Sequence, residues 1–411
     1  MELLNHNPTP VSFREIVPEI PSTTYATHSI HYYPASFIPQ VVRYCIDRFT
    51  SPKDWVLDPF AGSAVVGVEC FITGRNATLV DVNPITDWLV KARLLVPAED
   101  ARFEIRQLLA RSLAYRERPF RPNWKNLNYW HPPKVIEFLS NLWGYIHNEC
   151  ASYLKPLLAF AALDVTRTLS YTDNQVPKLY ASKRKIKELN DLLTQDWKKA
   201  ATSQYVKTAE NYLNATFELK QYVKGEKPEV EVYSPQDIET WHPTRNYKLI
   251  VSSPPYLQAQ EYIRSSKIDL FWLGYDDEKI RNLSSLEIPY RRAKGEVHTP
   301  TLDEIRKRVV ELGKTHLLKL FDSYFYFVLT NFKKVAENLL PDGRLCIFVG
   351  SPTITGINVP LWKIINEYFG EREFVEEVFE DKIVARKLFG YRNNLNPNGM
   401  LSEFLTILRR A

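Results

Sequence analysis

Cysteine is scarce in this chain: Cys45, Cys70, Cys150 and Cys346 are the only four among 411 residues, widely spaced and never paired as CxxC. That pattern excludes a disulfide framework and supplies no zinc knuckle. Histidine is equally scattered, with eight in all. The one close pair, His28 and His31, has no further ligands beside it, so no metal site is expected. No apolar run is long enough to cross a bilayer. Met1 to Pro21 is polar and proline-rich, without the basic start and apolar stretch of a signal peptide, so a cytoplasmic location is expected. Charge of neither sign dominates: the formal net charge of +5 permits a polyanionic partner without demanding one. No internal repeat or low-complexity tract is present.

What remains is ordinary globular composition, 45% hydrophobic and 25% charged, with room for one large domain and an insertion, or for two domains. A loosely held N-terminal arm is expected over residues 1–25. After the proline-rich turn His31 to Pro39, the spacing of Val41, Val42, Cys45, Ile46 and Phe49 predicts a helix with one apolar face. Asp54 to Leu57 reads as a strand, Val65 to Thr73 as a helix and Ala77 to Val80 as a second strand. This order is the first half of a doubly wound parallel sheet. Amphipathic helical stretches follow at Phe103 to Leu113, Lys134 to Ile146, Leu154 to Leu169 and Ile186 to Leu213. Strand character returns at Val230 to Tyr233 and Tyr247 to Val251. Leu339 to Gly350 reads as a helix end, a turn and a buried strand, and Phe374 to Phe379 with Phe404 to Leu408 as a closing strand pair.

Two constellations carry chemistry. Asp58, Pro59, Phe60, Ala61, Gly62 and Ser63 lie at the carboxyl end of a strand and just before a helix, where open α/β sheets bind ligands. The turn lets backbone N–H groups approach a ligand, and a carboxylate at the strand end can hold an ammonium group. Asp81 ends the next strand, where a carboxylate accepts hydrogen bonds from ribose hydroxyls. A nucleoside cofactor follows from that pairing. The second constellation, Ser253, Pro254, Pro255 and Tyr256, again follows an apolar strand. Adjacent prolines remove two N–H donors and stiffen the chain, leaving carbonyl oxygens free to accept from an amino group. Ser253 adds a hydroxyl acceptor, and Tyr256 a flat face for an extruded base.

Both constellations resemble motifs of the amino-methylating DNA methyltransferases: Asp58 to Ser63 their motif I, and Ser253 to Tyr256 their motif IV. The serine form of motif IV is typical of the cytosine-N4 enzymes, whereas the adenine-N6 enzymes usually begin it with Asp or Asn. HSIHYYPASFIPQVVRY, residues 28–44, looks like motif X, which contacts the methionine end of the cofactor. YLQAQEYIRSSKIDLFWLG, residues 256–274, looks like the helix after motif IV, and LLPDGRLCIFVG resembles a later core strand. The order is motif X, motif I, helical insertion, motif IV.

The resemblance implies a class I, Rossmann-like α/β fold with a mostly parallel seven-stranded sheet, and S-adenosylmethionine as cofactor. It implies cofactor contacts from His31, Tyr33, Pro34 and Phe37, from Asp58 to Ser63, and from Asp81 with Asn83. An acidic residue before motif IV usually reads the cofactor adenine. Either Ser234 or Asp237 can inherit that role, and Asp237 is the candidate. Motif I normally continues with a second glycine where this chain has Ala64, and a methyl group there is expected to require negative φ. Residues 26–95 and 223–411 would form the catalytic domain. The mainly helical 96–222 would be an insertion and candidate target-recognition region, and 275–310 a second inserted segment near DNA.

The implied reaction is direct methyl transfer to the exocyclic N4 amino group of cytosine in double-stranded DNA, with Ser253, Pro254, Pro255 and Tyr256 catalytic. Carbon-5 methylation needs a nucleophilic cysteine, typically after proline, and none of the four follows one. Lys178, Lys183, Arg184, Lys185, Arg291 and Arg292 stand in two basic stretches and are the candidate DNA contacts. A cognate restriction endonuclease is a candidate partner. Adenine N6 is the alternative target. An RNA amino-group methyltransferase and an inactive nucleic-acid-binding homologue are weaker readings.

Overall fold

The computed structural model describes residues 7–34, 37–173, 179–223, 225–257, 261–354, 356–370, 377–382 and 400–409. Among the described residues ten strands are interspersed with helices: β1 (Thr9–Val11), β2 (Trp55–Asp58), β3 (Asn76–Val80), β4 (Val230–Tyr233), β5 (Tyr247–Ser252), β6 (Leu339–Gly350), β7 (Thr353–Ile354), β8 (Ile357–Asn358), β9 (Glu377–Lys382) and β10 (Ser402–Arg409). Eight of them form one sheet in the order β1-β9-β10-β6-β5-β2-β3-β4, and β7 pairs with β8 in a small hairpin. Only β10 runs antiparallel to its sheet neighbours, β6 and β9; the other pairs are parallel. From β2 the chain proceeds through β3 to β4 on one side, and from β5 to β6 on the other. The switch point between β2 and β5 is where a doubly wound sheet opens a ligand crevice. The fold is therefore the expected Rossmann-like methyltransferase architecture with one strand added.

That eighth strand corrects the expectation of a loosely held arm. β1 pairs with β9 at the sheet edge, and the segment behind it is anchored by apolar burial. Phe13, Val17, Ile20 and Tyr25 are buried, and the Phe13 ring meets Tyr44 and Phe379 edge-on at centroid distances of 5.3 and 6.3 Å. A charged anchor sits deeper. Glu69, fully buried on the helix Val65–Thr73, accepts from His28 Nε2 at 2.7 Å and from the Tyr25 hydroxyl, and pairs with Arg43 at 2.7 Å. Three partners keep this carboxylate ionised despite burial, and its pKa is lowered.

The central region is helical, as its periodicity predicts: Ala101–Ala114, Pro133–Asn148, Lys155–Thr168, Lys183–Leu192 and Trp197–Tyr222. The single expected stretch Ile186 to Leu213 is two helices, because Asp196 caps a new one by accepting from Lys199 N. Its core is not separate from the sheet domain. One apolar cluster runs from Trp143 and Phe160 of these helices through Phe271 and Trp272 to Tyr33, Ile85 and Leu89. Arg167 clamps Asp269 with two hydrogen bonds and donates to the Ser265 carbonyl at 3.0 Å. The insertion is thereby fastened to the segment that follows Ser253 to Tyr256.

Leu339 to Gly350 is one strand rather than a helix end and turn. Its register against β5 jumps from Tyr247↔Leu339 to Leu249↔Arg344, so Pro341, Asp342 and Gly343 bulge out. A Cβ at Gly343 would lie 3.0 Å from the carbonyl oxygens of Leu340 and Lys248, which is why glycine occupies the bulge. No helix among the described residues is long and apolar enough to cross a membrane.

Replacing Glu69 by Gln leaves Arg43 buried without its counter-charge. The expected cost is about 3–5 kcal/mol, read from urea unfolding, with faster proteolysis within residues 7–34. An unchanged urea midpoint would refute the anchoring role of this carboxylate.

Candidate active site

At the carboxyl end of β2 the Asp58 carboxylate is 3% exposed and accepts from Ser252 Oγ at 2.6 Å and Phe60 N at 3.1 Å. Burial outweighs these two bonds and raises its pKa to about 7. Asp81, just beyond β3, accepts from Gly62 N and Asn83 N, each at 2.7 Å, yet burial still raises it to about 6. The turn between the two strand ends is thus stitched to Asp81 through Gly62. Thr86 Oγ1 donates to the Gly62 carbonyl at 2.7 Å, closing the stitch from the other side.

Gly62 has φ of +45°, and a Cβ there would stand 3.3 Å from Tyr33 Cε1. Ala64 overturns the expectation of negative φ: its φ is +61°, at the cap of the helix Val65–Thr73. The methyl group is carried in the left-handed region, which costs an L-residue about 1–2 kcal/mol. This strained alanine is held in place from outside the turn. Arg93, buried, donates to Ser63 O at 2.7 Å and to the carbonyls of His28, Ile30 and His31 at 3.3, 2.8 and 3.2 Å. Burial lowers its pKa to about 10, so it stays charged at neutral pH.

These elements bound a cavity. Its lining brings together Tyr33, Phe37, Asp58, Pro59, Phe60, Ala61, Gly62, Ser63, Asp81, Asn83, Asp237, Ser253 and Pro255 from the sequence-predicted set. The cavity suits a nucleoside carrying an amino-acid tail: one carboxylate stands at each of two strand ends, apolar and aromatic walls lie between, and a side chain at the glycine turn would crowd Tyr33. Tyr33 stacks on Tyr262 with ring centroids 6.1 Å apart. Tyr262, Ile238, Leu286, Glu287 and Ile288 complete the wall, and sequence reasoning missed them. Only their position, directly after motif IV or inside a polar insertion, could have signalled them.

Several candidates fall elsewhere. His31 does not line the cavity. It has φ of +56°, and its ring lies against Phe160 between Asp164 (3.6 Å) and Asp269 (3.8 Å), facing the helical insertion. Pro34 is also outside the lining. Ser234 donates to the Asn83 carbonyl at 2.8 Å and does not face the cavity, whereas Asp237 does. Both Asp237 oxygens are held by Arg291 at 2.9 and 2.6 Å. Arg291 also reaches Glu239 at 2.9 Å and lies 4.7 Å over the Phe327 ring. This corrects its reading as a phosphate contact: it is a half-buried part of the cavity wall.

The other basic candidates divide. Arg184 pairs with Asp173 at 2.7 Å and with Glu188, and Lys185 donates to the Thr168 carbonyl at 3.0 Å. These two are engaged within the fold. Lys183 and Arg292 are exposed. Lys178 lies outside the described residues.

In motif IV, Ser253 and Pro255 line the cavity and Pro254 is buried beside them. Ser253 Oγ makes no hydrogen bond among the described residues. Tyr256 does not line the cavity; its hydroxyl donates to Glu403 of β10 at 2.7 Å. Glu403 gave no sequence signal, because strand pairing alone brings it there. Among the described residues no cluster of His, Cys, Asp and Glu could hold a metal ion.

Residues 7–86 match a family model described as DNA methylase. Along most of its length the chain is similar to the Type II methyltransferase M.MvaI of Kocuria varians, 23% identical over 387 residues that cover 85% of this chain and 82% of that one. The Type II methyltransferase M.BsoBI of Geobacillus stearothermophilus is 22% identical over 299 residues, 67% of this chain and 58% of its own. A shorter stretch of 50 residues is 44% identical to the Type II methyltransferase M.Cfr9I of Citrobacter freundii, covering 12% of this chain and 17% of that one. These similarities support an amino-methyltransferase family, and the cofactor is S-adenosylmethionine.

Two outcomes test the site. Ala64→Gly removes the left-handed penalty and should stabilise the protein by about 0.5–1 kcal/mol after the added flexibility of glycine is counted; a lower urea midpoint would show that the methyl group contributes packing instead. The second concerns pH. Asp58 and Asp81 are raised to about 7 and about 6, so between about pH 4 and 7 the folded empty protein binds more protons than the unfolded chain, and stability falls as pH rises through that window. A cofactor ammonium on Asp58 and ribose hydroxyls on Asp81 would favour the ionised carboxylates. Affinity for S-adenosylhomocysteine, measured by calorimetry, should therefore rise at least about tenfold from pH 5.5 to pH 8. Equal affinity at the two pH values would contradict these roles.

Proposed function

We propose that this chain is a site-specific DNA methyltransferase that acts on the N4 amino group of cytosine in duplex DNA, within a restriction-modification system or as an orphan modification enzyme. The observation that carries the reading is the placement of Ser253, Pro254 and Pro255 at the end of β5, across the switch point from Asp58, with Ser253 lining the cofactor cavity. The Type II methyltransferases to which the chain is similar support duplex DNA as substrate.

The bound cofactor supplies an electrophilic methyl group on a sulfonium. Asp58 holds its ammonium, Asp81 its ribose hydroxyls, and Asp237, fixed by Arg291, faces its adenine. An amino group on an aromatic base is a poor nucleophile because its lone pair is delocalised into the ring. The Ser253 hydroxyl and the Pro254 carbonyl accept its hydrogens and turn that lone pair toward the methyl group. The target base must leave the duplex to reach them. Tyr256 offers its face to the extruded base while Glu403 fixes the ring through the hydroxyl. Positioning and exclusion of water supply most of the acceleration. Lys183 and Arg292 lie on phosphates, and residues 96–222 read the target sequence. Adenine N6 is the second reading. The motif order favours it, since many cytosine-N4 enzymes place motif IV first, and Ser253 in place of Asp or Asn disfavours it.

Unmethylated genomic DNA incubated with the protein and labelled S-adenosylmethionine should yield N4-methylcytosine on nucleoside mass spectrometry. N6-methyladenine without N4-methylcytosine would overturn the choice of base. Tyr256→Ala should bind cofactor normally but lose about 10- to 100-fold in turnover, in line with about 1–3 kcal/mol for base stacking on an aromatic ring. Full activity of this variant would remove Tyr256 from the site.

A further inference from the structure

Glu287 belongs to neither constellation read from the sequence. It stands just after the helix Asp277–Ser285, at the start of the short turn Ile288–Tyr290. Ser323 pins that turn by donating to the carbonyls of Ile288 at 2.8 Å and Arg291 at 2.5 Å. Glu287 Oε1 accepts from Ile263 N at 3.0 Å, so the carboxyl group is fixed against the segment that follows motif IV. It is 6% exposed, yet it lines two spaces at once. One is the cofactor cavity that Ser253 also lines. The other is an adjoining groove between the insertion and residues 261–290, with Trp130, Arg264, Lys267, Ser285 and Tyr290 in its walls. Among the described residues, Glu287 is the one common to both linings.

We propose that Glu287 takes the proton that the target amino nitrogen must lose on methylation. The inference rests on the amino-methylation reading above. In that step the nitrogen lone pair forms the new N–C bond as the methyl–sulfur bond breaks, sulfur keeping that electron pair. The nitrogen then carries a positive charge and an extra hydrogen. The N–H pair returns to nitrogen as the proton passes to a Glu287 oxygen, from which it leaves through the open groove to water. Ser253 and the Pro254 carbonyl accept hydrogen bonds in this arrangement but cannot hold the proton at neutral pH.

The surroundings of Glu287 suit the task. Burial, then the nearby charges of Glu261 and Asp81, push its carboxyl up to about 7, against the opposing backbone N–H groups of Ile263 and Tyr262. The other titratable groups facing it are the phenols of Tyr33, Tyr262 and Tyr290, neutral at this pH. The cations nearby are engaged by other carboxylates: Arg264 by Glu261 at 2.8 Å, Lys267 near Asp277 at 3.9 Å, and Arg291 by Asp237. A base whose pKa matches the working pH is the most effective proton acceptor, typically contributing 10²–10⁴-fold.

The test compares the wild type with Glu287→Gln and Glu287→Asp on unmethylated genomic DNA, in single turnover with saturating labelled cofactor, from pH 5.5 to 8.5. Calorimetry with S-adenosylhomocysteine runs alongside. Glu287→Gln keeps an acceptor for Ile263 N, so it should fold and bind S-adenosylhomocysteine as the wild type does. Its transfer rate should drop about 100-fold and lose the rising limb near pH 7, and Glu287→Asp should restore part of that limb. A Glu287→Gln rate and limb like those of the wild type would overturn the inference and leave the methyltransferase reading standing. So would a parallel loss of S-adenosylhomocysteine binding, which would make Glu287 a wall of the cofactor cavity only. Failure of the wild type to label DNA would overturn the reading, and the inference with it.

Discussion

One buried cation fixes the geometry on which the site depends. Arg93 donates to the carbonyls of His28, Ile30 and His31 on one side and of Ser63 on the other. These belong to two loops far apart in sequence: the one that presents Tyr33 and Phe37, and the turn that leaves β2. A guanidinium is the side chain best able to do this, because its fork of donors satisfies several carbonyls in one plane. Among the described residues no carboxylate pairs with it; the carbonyl dipoles face it instead, and the carboxyl groups of the site are left for other work. The left-handed conformation of Ala64 becomes tolerable for the same reason, since the carbonyl next to it is held from outside the turn.

The same principle ties the helical insertion to the catalytic segment. Arg167 reaches across to Asp269 and Ser265, and Trp143 lies beside Trp272 with ring centroids 6.2 Å apart. Residues 261–274 are therefore packed on both the insertion and the cofactor cavity. A helical region that belonged only to DNA recognition would need no such bond to the segment after motif IV. Motion of the insertion would be felt at Ile263, and through its N–H at Glu287.

Elements that depend on local pattern were legible in the sequence. Val65–Thr73 and Val230–Tyr233 coincide with their expected bounds, because apolar periodicity and glycine turns decide them within the segment itself. The positions of the glycine turn and of Asp81 at neighbouring strand ends were legible too, since a strand end followed by a glycine turn fixes where backbone N–H groups point. What was not legible depends on partners distant in sequence. β1 joins the sheet only because β9, some 370 residues later, offers an edge. His31 sits in a stretch that resembles motif X, but its ring goes to the insertion because Asp164 and Phe160 stand there. Arg291 lies in a basic run that reads as a phosphate contact, and what it meets is Asp237 and Phe327. A charge run in a sequence gives the sign of a patch. It does not say whether a carboxylate fifty-four residues upstream has already claimed one of its members.

Three of the carboxyl groups around the cavity share one property. Asp58, Asp81 and Glu287 are all raised by burial, and Asp58 and Glu287 are each raised further by the charge on Asp81. A cavity lined this way resists a full set of negative charges when empty. It accepts them when a cation enters, because each added positive charge offsets the desolvation that held the carboxyls neutral. S-adenosylmethionine brings two such charges, the ammonium and the sulfonium, and its product after transfer retains one. A cavity of this kind is therefore better matched in charge by the cofactor before transfer than by its product. The proton released by the base appears at the moment the sulfonium charge disappears. A carboxylate beside the cavity that accepted that proton would keep the local charge balanced: one cation would be lost from the cofactor, and one anion neutralised at Glu287.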